Sequence, residues 1–222
     1  MAEKNKNQRK EKNYTEAELI TIFGLTRIPY GDTDLMRQWT APTSITLTAS
    51  EQELFDKILT DARKKIEGWK EEALKMKFVA FVLALGHLED TNLYNTYFEE
   101  TIFATVEEVF LKTKTDFMVA KGVLDLPQTP YFHFQEWKKH KDPNGDPVAQ
   151  LIEAFLIAQE TNKNGKPLYG CTISGKFWDF FVMEGKTYCI SKSYDCTDED
   201  DLMQIIAILR KFTVILATTL IN

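Results

Sequence analysis

The chain changes periodicity once, near Asp90, and that switch restricts the fold more than any other feature. Before it, apolar residues recur every three or four positions, as on one face of a helix. Leu54, Ile58, Ala62, Ile66 and Trp69 form one such series, and Leu74, Phe78, Phe81, Val82 and Leu85 a second, closed by Gly86. After Asp90 the apolar residues come in short runs rich in β-branched and aromatic types, divided by Lys or Pro/Gly turns. Thr101–Phe110, Thr115–Ala120 and Tyr131–Trp137 read as three strands, and Leu168–Ser174, Phe177–Glu184 and Lys186–Ser191 as three more. Between the two sets, Asp146-Pro147 has the cap-then-proline start of a helix reaching about Gln159.

The ends of the chain add helices. Thr15 with Glu18 makes a capping box before Leu19, Ile20, Ile22 and Phe23, and Gly24 stops that run. Ser50 with Glu53 repeats the pattern ahead of the longer series, while the stretch from Leu25 to Thr48, with Pro29, Gly31 and Pro42, reads as irregular. Asp198 caps a last helix whose first turn holds Glu199, Asp200 and Asp201, charges suited to a helix N-terminus. The expected fold class is α/β (α+β), a central mixed sheet flanked by helices. Three regions follow: a basic tail over 1–13, a helical region over 14–90 packed on the core, and an α/β core over 91–222.

Several classes of function drop out. With 27 Lys+Arg against 33 Asp+Glu, the 222-residue chain carries a formal charge of −6, which argues against a surface that is basic throughout. The N-terminus lacks the apolar segment of a secretory signal, and the longest strictly apolar run, Phe78–Leu85, is too short to span a bilayer. The expectation is a cytoplasmic protein with no membrane partner. Cys171, Cys189 and Cys196 are never spaced as a zinc knuckle and read as reduced thiols. No Gly-rich phosphate cradle occurs; Gly170 to Gly175-Lys176 comes nearest, with Phe177 where Ser or Thr is needed.

One constellation can carry chemistry. Side chains alternate along a strand, so Glu136 and Lys138 share a face, and reading back gives Phe134 and Phe132: apolar for two positions, then abruptly charged. Asp116 lies on the preceding strand, and a connection containing Gly122, Pro127 and Pro130 could fold the two into a hairpin. Two carboxylates would then meet one lysine. Mg²⁺ suits such a pair, because it takes one or two carboxylates, retains waters and fills its shell with phosphate oxygens. A nearby lysine can orient a water or stabilise a developing oxyanion.

Asp116, the Glu136-x-Lys138 pair on the next strand and a following helix with Gln150 resemble the PD-(D/E)XK nuclease superfamily, and more narrowly an uncharacterised bacterial group within it. The stretches Trp69–Phe78, Asp116–Gly122 and Gly145–Leu151 carry the narrower resemblance, which extends from Trp69 to the C-terminus. It implies a restriction-endonuclease-like core with an N-terminal helical extension, cleaving phosphodiesters with Mg²⁺ or Mn²⁺. Asp116 and Glu136 would be the metal ligands, Lys138 the catalytic lysine, and Gln150 a residue facing the site. Glu99, in preference to Glu100, would add an acidic group. Thr115 stands where that family often has Pro. The implied partner is nucleic acid, DNA before RNA, and a homo-oligomer stays open.

A second reading also stands: a non-catalytic protein that keeps the fold and works as an interaction module, suggested by the acidic balance and by the size of the helical region from Thr15 to Leu85. Lys138, Lys139, His140 and Lys141 form a basic run that serves as a phosphate-gripping edge or a solvated loop. His133 alternates away from Glu136 and reads as a packing residue.

Overall fold

The structure is a computed structural model that describes residues 13–138 and 146–221. The elements run α1 (Glu16–Phe23), β1 (Thr26–Ile28), α2 (Asp34–Thr40), α3 (Ala49–Lys65), a 3-10 turn (Ile66–Gly68), α4 (Glu71–Leu74), a π-helical stretch (Lys75–Val79) and α5 (Ala80–Leu85). There follow β2 (Asn95–Val106), β3 (Val109–Val123), β4 (Leu126–Lys138), α6 (Pro147–Asn162), β5 (Leu168–Ser174), β6 (Phe177–Glu184), β7 (Thr187–Ile190), β8 (Tyr194–Asp195) and α7 (Glu199–Ile215), which ends in a second π-helical stretch (Leu216–Leu220).

The fold is mixed α/β, as the alternation of patterns requires. The described strands form one sheet in the order β1-β7-β6-β5-β4-β3-β2, with β8 added to β6. β2, β3 and β4 make an antiparallel meander; α6 then crosses a face of the sheet and returns the chain to β5, parallel to β4. Gly170 on β5 admits this crossing: a Cβ there would lie 2.7 Å from the Phe134 carbonyl oxygen and 2.9 Å from Leu151.

Each face buries its own apolar layer. On one side α1 and α6 place Leu19, Phe23, Leu151 and Phe155 against Met118, Phe134 and Phe181. On the other, α2, α3, α5 and α7 bring Trp39, Phe55, Val82 and Phe212 onto Phe117, Tyr169 and Phe180. The helices before Asp90 therefore share a core with the sheet. Trp39 fixes the docking, its indole N–H donating to the Ile208 carbonyl at 2.9 Å within an aromatic nest of Tyr169 and Phe180.

Four local expectations are corrected. The box before α3 is Thr48 with Glu51, not Ser50 with Glu53: Thr48 Oγ1 accepts from the Glu51 amide, and Glu51 Oε2 accepts from the Thr48 amide. Leu25 to Thr48 is not irregular throughout, because β1 pairs with β7 and Thr33 caps α2. The expected strand Thr101–Phe110 spans two, since a turn at Glu107 and Glu108, both at positive φ, separates β2 from β3. Finally, Phe132 does not share a face with Phe134, because a bulge between Val119 and Lys121 shifts the β3–β4 register and sends Phe132 to the opposite core layer.

One described helix, Glu199–Leu220, is long and apolar enough to cross a membrane by length and composition. Its apolar side, including Leu202, Ile205, Leu209 and Phe212, is buried against the sheet.

Candidate active site at the carboxyl end of β4

The site is assembled where the β3–β4 ladder ends. Phe117↔Gln135 closes the pairing, and beyond it a side chain replaces the backbone: Asp116 Oδ2 accepts the Trp137 amide at 2.7 Å. Asp116 thereby props the two strands apart just where Glu136 and Lys138 emerge. Lys138 Nζ lies 2.9 Å from Glu136 Oε1, and both groups are largely buried. Asp116, Glu136 and Lys138 are thus gathered at one end of the sheet, on neighbouring strands.

Glu99 joins them through a distortion of β2. Phe98↔Phe117 and Glu100↔Thr115 remain in register, but Glu99 between them has φ +58°, the left-handed region that costs a non-glycine residue about 1 kcal/mol or more. Its carboxylate is held by Lys114 and, at 2.8 Å, by Lys75.

Lys75 is the residue that the motif did not reveal. It opens the π-helical stretch, is 9% exposed, and passes over the Trp137 ring at 5.7 Å. Its ammonium stands 2.8 Å from Asp116 Oδ1, 2.8 Å from Glu99 Oε1 and 3.1 Å from Glu71 Oε1. The helical stretch that carried the family resemblance held a signal of its own: Lys75 precedes buried Val79 and Val82 at helical spacing, which places a charge on the buried side of an apolar helix.

The electrostatics follow from burial. Desolvation works against the Lys75 ammonium, yet the hydrogen bonds it donates to Asp116 and Glu99 outweigh it and raise its pKa. Burial lifts the Asp116 carboxyl above the ordinary range despite Lys75 and the Trp137 amide. These directions are compatible, because one ammonium is shared among three carboxylates. Glu136 is pushed up to about 8, first by burial and then by the negative charge of Asp116, with Lys138 opposing. Lys138 is raised as well, its desolvation outweighed by Glu136.

Gln150 lies in the first turn of α6, on the sheet face that Phe134 occupies, and its Oε1 is buried without a hydrogen-bond partner. Asp146 caps this helix through the Ala149 amide and also accepts from the Glu16 amide of α1. Lys139, His140 and Lys141 lie outside the described residues. His133 is fully buried beside Phe212 and Trp39, and burial pushes its pKa down to about 3, so it is a neutral packing residue.

The donor set suits a divalent cation. Two buried carboxylates repel one another across the end of β3 and β4. Mg²⁺ asks for no more than one or two carboxylates, with waters and phosphate oxygens completing its shell. Among the described residues no group of three or more His, Cys, Asp or Glu side chains converges closely enough to hold a metal alone. No protein-family model matches the chain, and no curated protein matches it in sequence.

Proposed function

We propose that the chain is a metal-dependent nuclease of the PD-(D/E)XK type, hydrolysing phosphodiesters in nucleic acid, with DNA favoured over RNA. The observation that carries this reading is the convergence of Asp116, Glu136 and Lys138 at the end of an antiparallel pair that a crossing helix joins to a parallel strand. Asp116 and Glu136 would hold Mg²⁺ or Mn²⁺, which when bound acidifies a coordinated water and offsets charge on the phosphate.

The protein's own groups supply the rest. Lys138, tethered to Glu136 at 2.9 Å, is positioned to orient a water at Nζ and to neutralise a phosphate oxygen as charge develops. Lys75 anchors Glu99 and Asp116, fixing the carboxylates rather than leaving them to swing. The unpartnered Gln150 Oε1 offers an acceptor for a water or a substrate N–H. Three buried free thiols, Cys171, Cys189 and Cys196, fit the proposed cytoplasmic setting.

One observation favours the non-catalytic alternative. Lys75 already satisfies Asp116 with an internal cation, an arrangement that a fold-keeping interaction module would also use. Incubating labelled DNA and RNA with Mg²⁺ or Mn²⁺ separates the two readings. The nuclease should cleave, and Asp116→Ala should lower the rate by at least about 100-fold. Equal cleavage by wild type and variant would refute the site, and no cleavage with any substrate would favour the module.

A further inference from the structure

A cleft of about 510 Å³ opens between the end of α3 and the β5–β6 turn. Arg63, Lys64, Lys65 and Lys176 line it, with Glu67 the acidic exception and Trp69 the aromatic wall. The three basic residues of α3 are accounted for in part by the dipole at a helix C-terminus. Lys176 is not, because it comes from a different element and faces the same space.

The cleft and the site are linked through the chain, although no site residue lines the cleft. Gly175, next to Lys176, donates its N–H to the Lys138 carbonyl at 2.8 Å, and Ser174 pairs with Lys138 in the ladder. On the other wall, Trp69 precedes Glu71 by two residues, and Glu71 contacts Lys75. Aromatic rings accompany the charges: Trp69, in the cleft wall, packs at a tilt on Phe78 at 6.5 Å, and Phe177, outside the lining, is 43% exposed with the Lys176 ammonium 5.1 Å from its ring.

Resting on the nuclease reading, we infer that this cleft holds the flank of a single-stranded nucleic acid, its phosphates on Lys64 and Lys176 and a base against Trp69. The present partners of the cations do not block this. Arg63–Glu199 (3.8 Å) and Lys65–Asp61 (2.9 Å) are surface pairs, which contribute little and can be exchanged for phosphate, while the half-buried Lys176–Asp195 pair (2.7 Å) opens when Lys176 turns to a phosphate. Cations that track a backbone, interleaved with rings on which bases stack, are the ordinary means of holding a single strand.

The test is fluorescence anisotropy in EDTA, so that cleavage is off, with a labelled oligothymidylate of about 15 nucleotides, its RNA counterpart and a duplex of equal length. The double reversal Lys64→Glu/Lys176→Glu should raise Kd for the single strand at least about tenfold and reduce the salt slope by about 1.4, two phosphates' worth. Trp69→Leu should weaken binding about tenfold with the slope unchanged, because stacking carries no counterion. Lys121→Glu/Lys163→Glu, at the opposite end of the sheet, should do neither, and melting curves check that each variant folds. An unchanged Kd and slope in the cleft reversal, or equal affinity for the duplex, overturns the inference while wild-type cleavage keeps the nuclease reading. A wild type that neither binds nor cleaves overturns both.

Discussion

Replacing Lys75 by Met removes one ammonium from among three carboxylates while keeping most of the apolar stem, so the loss is electrostatic rather than a cavity. Breaking a buried ion pair by removing one partner costs about 3–5 kcal/mol, because a charge is left without compensation. Asp116 keeps the Trp137 amide at 2.7 Å, and Glu99, nearly half exposed, keeps Lys114, which places the expected cost near the lower bound, about 3 kcal/mol. For a chain of this length that is a drop in Tm of about 6–12 °C. Burial already raises the Asp116 carboxyl, and losing Lys75 raises it further. A raised carboxyl contributes stability at low pH that is lost as pH rises, so the deficit of Lys75→Met should be smaller at pH 5 than at pH 8. Guanidinium unfolding of wild type, Lys75→Met, Asp116→Asn and the double variant closes a thermodynamic cycle. Neutralising Asp116 should rescue part of the loss, leaving the double variant more stable than Lys75→Met. A deficit under about 1 kcal/mol, or a double variant no more stable than the single, would refute the account of Lys75 as the buried counter-charge.

Glu51 accepts from the Thr48 amide, contacts His87 and lies 2.5 Å from Arg210, and its pKa is lowered to about 2 mainly by the Thr48 hydrogen bond and then His87. Its stabilisation is therefore present above the ordinary carboxylate range and lost as pH falls from about 4.5 toward 2, so the advantage of wild type over Glu51→Gln in urea unfolding should shrink from about 1–3 kcal/mol at pH 7 to nothing near pH 2. Glu153 has the opposite sign: burial lifts it to about 7, so its contribution is complete below about 4.5 and is lost as pH passes 7. Glu153→Gln should gain on the order of 2 kcal/mol over wild type at pH 8 and little at pH 5, read by guanidinium midpoints. Gly170→Ala would press a methyl group against the Phe134 carbonyl and Leu151, and calorimetry should show a loss of about 1–3 kcal/mol.

How far the sequence disclosed this molecule depended on the range over which each signal acts. Local chemistry was legible: Thr15, Asp146 and Asp198 cap the helices they announce, because a cap is settled within four residues. The α3 cap was misplaced by two residues because Thr48 and Ser50 both offer a hydroxyl three residues before a glutamate, and only the fold selects between them. Strand existence was legible, but the break at Glu107-Glu108 was not, since neither residue is a usual turn former and both adopt positive φ. Glu136 and Lys138 on one face followed from alternation; Phe132 escaped it because the bulge inserts a residue that no local pattern marks. Lys75 was invisible as a site member for a different reason: its contacts with Glu99 and Asp116 span 24 and 41 residues and require the sheet to exist first.

The pairing of β1 with β7 gives the chain a temporal constraint during synthesis. Residues 26–28 must wait for residues 187–189 before their backbone groups are paired, the Trp39 indole waits for a carbonyl 169 residues later, and Glu16 waits for the Tyr188 hydroxyl across 172 residues. A ribosome delivers these partners about ten seconds or more apart. Over that interval Trp39 and Phe23 have no core to enter, so the nascent chain presents apolar helices in need of shielding. Folding of the first third is in this sense held in escrow until the last third leaves the exit tunnel.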